Sequence, residues 1–309
     1  MASQLPFPAR ETKKIVVTPL MERTAKRTLA VHAGGALVVW TGPSRNGKTW
    51  TAKWMVEQME EGYASSMDAF HCKHFEVGEI DSGWGGGDQK RAIRALYHAT
   101  IGKLDESTYR QSLVSDLAHI TALALQTKNI QMVFVDEAGL LSLSAIRGLV
   151  LLRDTAENED WPLTIVLIGM DDLPTKLREN EQVWNRIHEW CYFKPYDLAD
   201  THRFLAELHP HFAALDPQVP SDREQLRFVH DTYGGLPGMF TPYVRRLRAM
   251  ATEMEREIDL LFLKAAHLRT QRDEQNAMSD STSRNGGVRL RLGQKRKPGG
   301  DGGEQRKQA

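Results

Sequence analysis

Two spacings of apolar residues alternate along this chain. Continuous apolar runs at Ala36 to Trp40, Met132 to Val135, Leu163 to Gly169 and Trp190 to Phe193 carry almost no polar residue, the pattern of strands buried on both faces of a sheet. Phe70 to Val77 reads as a further strand. Between these runs the spacing changes to three and four residues. Thr18 caps a helix with Pro19 at its first position that runs to about His32, before Gly34 and Gly35. Other helical patterns cover Trp50 to Met59, Gln89 to about Ile101, and Ser107 to about Thr127, the last with Leu113, Leu117, Ile120 and Ala124 as its apolar stripe. Gly83 to Gly87 is a loop. Strands alternating with helices predict a parallel sheet with right-handed crossovers. Beyond Pro195 the strand signals stop, and helical patterns carry the chain to about Glu274.

The segment behind the first apolar run carries chemistry. Gly42, Pro43, Ser44, Arg45, Asn46, Gly47, Lys48 and Thr49 fit the pattern G-x-x-x-x-G-K-[ST], with a strand before them and a helix opening at Trp50. Glycines at 42 and 47 let the backbone wrap around phosphate oxygens, so that successive N–H groups and the helix N-terminus face the ligand. Lys48 supplies a mobile cation for the β- and γ-phosphates, and the Thr49 hydroxyl ligates Mg²⁺. Gly42 to Trp50 is thus expected to bind ATP with Mg²⁺.

A second signature follows about 90 residues later, where the strand from Met132 ends in Asp136 and Glu137. At the carboxyl end of a buried strand beside the phosphate loop, Asp136 holds Mg²⁺ while Glu137 polarises the attacking water. The plain alternative is a helix cap with an acidic neighbour.

The order of phosphate loop, Val133 to Glu137, Ile165 to Gly169, Gln182 to Arg186 and finally Tyr233-Gly234-Gly235-Leu236-Pro237-Gly238 resembles an AAA+ ATPase over roughly residues 18 to 270. More narrowly, Ile168 to Leu173 and the spacing to Arg186 resemble the TnsC/TniB/MuB group of transposition regulators. The resemblance implies an α/β fold, a P-loop AAA+ parallel-sheet core with a C-terminal helical lid. The expected domains are a basic N-terminal arm and helix (1–34), the nucleotide-binding core (35–195), the lid (196–275) and a disordered basic tail (276–309). It also implies ATP-dependent self-association into a ring or helical filament on duplex DNA, where the assembly meets a transposase and target-selection proteins. Arg186, with Arg178 as competitor, is then the arginine that reaches the γ-phosphate held by a neighbouring subunit; a surface cation is the alternative. Two departures stand out. Residue 169 is Gly where many AAA+ chains carry a polar sensor, leaving Thr164 or Asp171 to substitute. Gly238 occupies the lid position that often holds a phosphate-sensing arginine, and Arg245 lies two turns further on. Both gaps imply slow, assembly-linked hydrolysis. The alternatives are another AAA+ machine, such as a replication-initiator-like loader or a secretion-associated ATPase, and a P-loop small-molecule kinase.

Composition adds the partner. The 309 residues balance 40 basic against 40 acidic side chains, but unevenly. From Ser281 onward eight basic residues face two acidic ones, a net +6 that leaves −6 for residues 1–280. Rich in Gly and poor in apolar side chains, that tail is expected to stay disordered and to attract polyanions. Lys90, Arg91 and Arg94, with Lys103 second, are the expected phosphate contacts on duplex DNA; a solvated helix face explains the same charges. No motif reads base edges, so binding is expected to be nearly sequence-independent. Two cysteines, the lack of a signal-like apolar segment and the lack of a membrane-length run place the chain in the cytosol. His71, Cys72, Lys73 and His74 alternate between strand faces, which argues against zinc. Trp50 and Trp54 are expected to pack behind the phosphates.

Overall fold

A computed structural model describes residues 16–63, 71–76 and 88–285. Helix α1 (Pro19–His32) comes first, with the Thr18 hydroxyl accepting from the N–H of Met21 as its cap. The core then runs β1 (Leu37–Thr41), α2 (Lys48–Tyr63), β2 (His71–Glu76), α3 (Asp88–Thr100), α4 (Glu106–Gln111), α5 (Val114–Thr127), β3 (Ile130–Asp136), a 3₁₀ turn (Ala138–Leu140), α6 (Leu143–Asn158), β4 (Thr164–Ile168), α7 (Leu173–Arg178), α8 (Glu181–Trp184) and β5 (Ile187–Tyr192). Helices α9 (Leu198–Leu208), α10 (Pro210–Ala213), α11 (Pro220–Tyr233), α12 (Pro237–Met254) and α13 (Leu260–Asn285) follow.

The five strands pair in parallel in the order β2-β3-β4-β1-β5. Alternation along them sorts the core into two layers. Leu37, Val39, Val133, Val135, Ile165 and Leu167 face α3, α5 and α6. Val38, Trp40, Met132, Phe134, Val166 and Ile168 face α1 and α2. Both sets are shielded from water, which is why these strands read as unbroken apolar runs. The helices after β5 form their own core around Phe212, Leu226, Phe240, Tyr243, Leu247 and Leu263. Leu20 of α1 packs against both that core and the α1/α2 layer, tying the lid to the sheet.

Three element boundaries differ from the sequence expectation. The helix expected from Ser107 to Thr127 is two helices, because Asp105 caps α4 and Asp116 reaches back to the N–H of Leu113 to start α5. Leu113 is consequently exposed, and the buried stripe of α5 is Leu117, Ala118, Thr121, Ala122 and Leu125. Strand β5 starts at Ile187 rather than Trp190. It is an edge strand, and polar His188 and Glu189 hide its start; the His188 ring accepts from the N–H of Leu37. Helix α13 continues to Asn285, so residues 276–285, expected to be disordered, are helical. The Gly83 to Gly87 loop, the arm before residue 16 and the tail from residue 286 lie outside the described residues. Among those described, no helix is long and apolar enough to cross a membrane.

Helices α3 and α6 meet at Gly148, where an added Cβ would lie 2.7 Å from the Gln89 carbonyl oxygen. Since that neighbour is backbone, Gly148→Ala should overpack the contact and destabilise by about 1–3 kcal/mol. Thermal unfolding should show a Tm several degrees lower; an unchanged Tm would mean that the two helices separate freely.

Candidate nucleotide site

The phosphate-loop motif lies at the carboxyl end of β1, with α2 beginning at Lys48. Its backbone takes positive φ at Gly42 (144°), Arg45 (62°) and Gly47 (87°). A Cβ at Gly42 would sit 2.4 Å from the carbonyl oxygen of Phe193, so only glycine lets the loop leave β1 this close to the end of β5. Asn46, 1% exposed, donates to that same carbonyl and fixes the loop from below. The Lys48 ammonium donates to the carbonyl oxygens of Gly42 and Pro43, each at 2.7 Å, and so spans the mouth of the loop. Burial lowers its pKa, opposed by the carboxylates of Asp171 and Asp136. Trp54 packs against the layer behind the loop, whereas Trp50, expected beside it, is 43% exposed. It sits on the first turn of α2, at the rim.

Asp136 is the last residue of β3. Its Oδ2 accepts from the Thr49 hydroxyl at 2.6 Å, and its Oδ1 accepts from the N–H of Glu137 at 2.9 Å. Strand β4 separates β3 from β1, so this contact bridges two strand spacings, about 10 Å. Burial raises the Asp136 pKa, but hydrogen bonds from His74, Thr49 and the Glu137 amide outweigh it and leave the carboxyl below its ordinary value. Glu137 is exposed and holds a left-handed backbone (φ 57°, ψ 32°), a conformation that costs a non-glycine residue on the order of 1 kcal/mol. The turn aims its side chain away from the strand direction, out of the buried layer. Two hard oxygen donors in contact, Thr49 Oγ1 and Asp136 Oδ2, fit a small divalent cation.

Sequence reasoning missed His74. Its Nε2 lies 3.2 Å from Asp136 Oδ2, because β2 pairs with β3 in a register that sets Phe75 beside Val135 and Glu76 beside Asp136. Alternation put Cys72 and His74 on one face, but only the pairing of β2 with β3 brings that face beside Asp136. Cys72 itself is buried, its thiol pushed up to about 12 by burial.

The two sensor gaps resolve differently. Thr164 stands at the start of β4, the end away from the loop, 2.9 Å from His32 Nδ1, and has no access to the phosphates. Asp171, just past the end of β4, is close enough to act on the Lys48 charge and is hydrogen-bonded by Tyr192. In the lid, the N–H of Gly238 donates to the carbonyl of Arg45 at 2.9 Å, and a Cβ at 238 would lie 2.7 Å from that oxygen. An arginine there is incompatible with the docking of α12 on the loop. Instead Arg45 reaches the lid, its guanidinium 2.8 Å from Met239 Sδ. Arg245 is exposed two helical turns, about 10 Å, along α12.

Arg186 is at the opposite end of the sheet. Ile187 pairs with Leu37 at the start of β1, while Tyr192 pairs with Thr41 beside the loop; the length of β5 is roughly 17 Å. Arg186 Nε is 2.7 Å from Asp154 Oδ2 on α6, with the side chain about half exposed. Arg178, its competitor, stacks over Trp184 at 4.9 Å.

The cations expected on DNA do not form an open basic face. Arg94 pairs with Glu106 at 3.0 Å and stacks on Tyr109, with only 12% of its side chain exposed. Lys90 covers the same ring at 4.7 Å and donates to the Arg110 carbonyl. Arg91 is half-buried and Lys103 exposed. The first two charges hold α4 against α3, a packing role that helical spacing alone does not reveal.

Comparison with known proteins bears on this geometry. Residues 31–177 match a family model described as AAA domain, the stretch containing the phosphate loop, Asp136 and Glu137. No curated protein matches the chain. Among solved structures, the ORC2 protein of Aeropyrum pernix in its ADPNP-ADP complexes is similar with a TM-score of 0.57 at 17% identity, over 82% of this chain and 69% of that one. Aeropyrum pernix ORC1 in complex with DNA is similar at 0.53 and 18% identity, over 84% and 67%. Domain III of the Thermotoga maritima replication initiation protein DnaA is similar at 0.53 and 13% identity, over 82% and 92%. With an AAA domain matched over residues 31–177 and this five-stranded parallel sheet leading into a helical lid, the chain has the AAA+ P-loop fold.

Proposed function

We propose that this chain is a DNA-associated ATPase switch whose hydrolytic site is completed only in an assembly of several copies. One observation carries the proposal: Thr49 and Asp136 converge at 2.6 Å beside Lys48, while Arg186 lies at the far end of the same sheet. ATP occupies the cradle formed by Gly42 to Trp50, with Lys48 against the β- and γ-phosphates. Thr49 and Asp136 hold the Mg²⁺, which when bound neutralises charge on those phosphates. Glu137 orients the attacking water and takes its proton. The charge balance argues for a partner. Asp136, Glu137 and Asp171 lie on the phosphate side with Lys48, Gly238 adds nothing, and Arg186 cannot reach its own site across roughly 17 Å. Supplied by a neighbouring copy, Arg186 restores the missing positive charge, so hydrolysis depends on assembly.

Duplex DNA is the proposed template for that assembly. The sequence resemblance to transposition regulators supports a ring or filament on target DNA that recruits a transposase and target-selection proteins. A second reading, an initiator-like loader, is favoured by the likeness in fold to ORC and DnaA structures. Electron microscopy of the chain with duplex DNA and a non-hydrolysable ATP analogue tests the proposal. An ordered ring or filament that needs both supports it, and monomers under all conditions reject it. A continuous helix along the duplex favours the transposition reading, an isolated ring the loader.

Three substitutions test the roles. Lys48→Ala should abolish binding of a fluorescent ATP analogue and, with it, assembly on DNA. Glu137→Gln should retain ATP and lower turnover about 100-fold or more; normal hydrolysis would remove Glu137 from the mechanism. Arg186→Ala should leave nucleotide affinity within about twofold and reduce DNA-stimulated turnover by about a thousandfold. Loss of nucleotide affinity in that variant would mean that Arg186 acts on the fold rather than on a neighbour.

A further inference from the structure

We infer that His74 is the positioning residue for the metal-binding carboxylate of Asp136, an inference that rests on the assignment of Thr49 and Asp136 to Mg²⁺. Asp136 is 6% exposed, and among the described residues no Lys or Arg forms an ion pair with it. With Lys48 near but not in contact, such a buried carboxylate needs hydrogen-bond donors. Asp136 has three: the Thr49 hydroxyl and the His74 ring on Oδ2, and the Glu137 amide on Oδ1. Two of them belong to residues that must serve other groups. Thr49 turns its oxygen to the cation when one binds, and the Glu137 amide follows the left-handed turn that carries the catalytic side chain. His74 alone sits on a neighbouring strand, 12% exposed and in ladder register with Phe134, so its position does not depend on ligand.

The chemistry fixes its protonation pattern at that contact. A carboxylate only accepts, so Nε2 must carry the proton and donate. That donation holds the plane of the carboxylate and keeps its remaining lone pairs toward Thr49 and the cradle. Partners that orient a ligand typically change metal affinity by about 10–100-fold when removed.

The test is the Mg²⁺ dependence of fluorescent ATP-analogue binding, measured without turnover, in wild type, His74→Ala, His74→Leu and His74→Gln. The terminal amide of Gln places an N–H near the position of Nε2. His74→Ala and His74→Leu should raise the half-saturating Mg²⁺ concentration about 10–100-fold, with binding in excess EDTA within about twofold of wild type. His74→Gln should recover most of the difference. Should His74→Ala fail to fold by circular dichroism, the Leu and Gln pair, which fill the space with and without a donor, carries the comparison. Equal Mg²⁺ requirements in Leu, Gln and wild type overturn the role of His74 while leaving the nucleotide site standing. Wild-type binding that ignores Mg²⁺ altogether overturns the metal assignment, and this inference with it.

Discussion

A hydroxyl from the first turn of one helix meeting a carboxylate from the end of a non-adjacent strand is the contact around which this fold is arranged. Thr49 and Asp136 belong to elements separated in the sheet by β4, so the two side chains must span that strand's width to touch. Just past β4, Gly169 is confined by its own neighbour: a Cβ there would lie 2.6 Å from the Leu173 side chain. Asp171 lies two residues on, close enough to act on the Lys48 charge.

An acid acting on Lys48 shapes the electrostatics of the cradle. On the proposed function, a triphosphate entering it meets carboxylates at 136, 137 and 171, and Gly238 of the lid offers no cation. Gly238 is pressed onto the Arg45 carbonyl, which allows α12 to sit close to the loop but excludes any side chain at that position. The lid therefore senses the loop through backbone contact and through the reach of Arg45 to Met239, not through a cation aimed at phosphate. On the proposed function, the deficit of positive charge is what makes a single chain a poor catalyst and an assembled one a competent one. Arg186 is paired through Nε with Asp154 and stays about half exposed at the edge of the sheet.

The legible parts of this chain are those with strong local chemistry. Doubly buried strands announce themselves as apolar runs, Thr18-Pro19 gives the start of α1, and the phosphate loop and Asp136-Glu137 are spelled out residue by residue. What stayed hidden depended on pairing between distant segments. His74 gained its role from the register of β2 on β3, which single-strand alternation cannot supply. The start of β5 was masked because an edge strand tolerates His188 and Glu189. Lys90 and Arg94 looked like a surface for phosphates, yet Tyr109 on a separate short helix claims both. Charge counts along a helix do not distinguish a cation facing water from one facing an aromatic ring.

The account stands or falls on the site being shared between copies. The direct measurement is ATP turnover per chain as protein concentration rises at fixed duplex DNA and saturating Mg-ATP. Turnover per chain should climb steeply through the concentration at which chains associate, then level off. A value that stays constant from the most dilute sample upward, with ATP hydrolysed at full rate by isolated chains, would contradict the account.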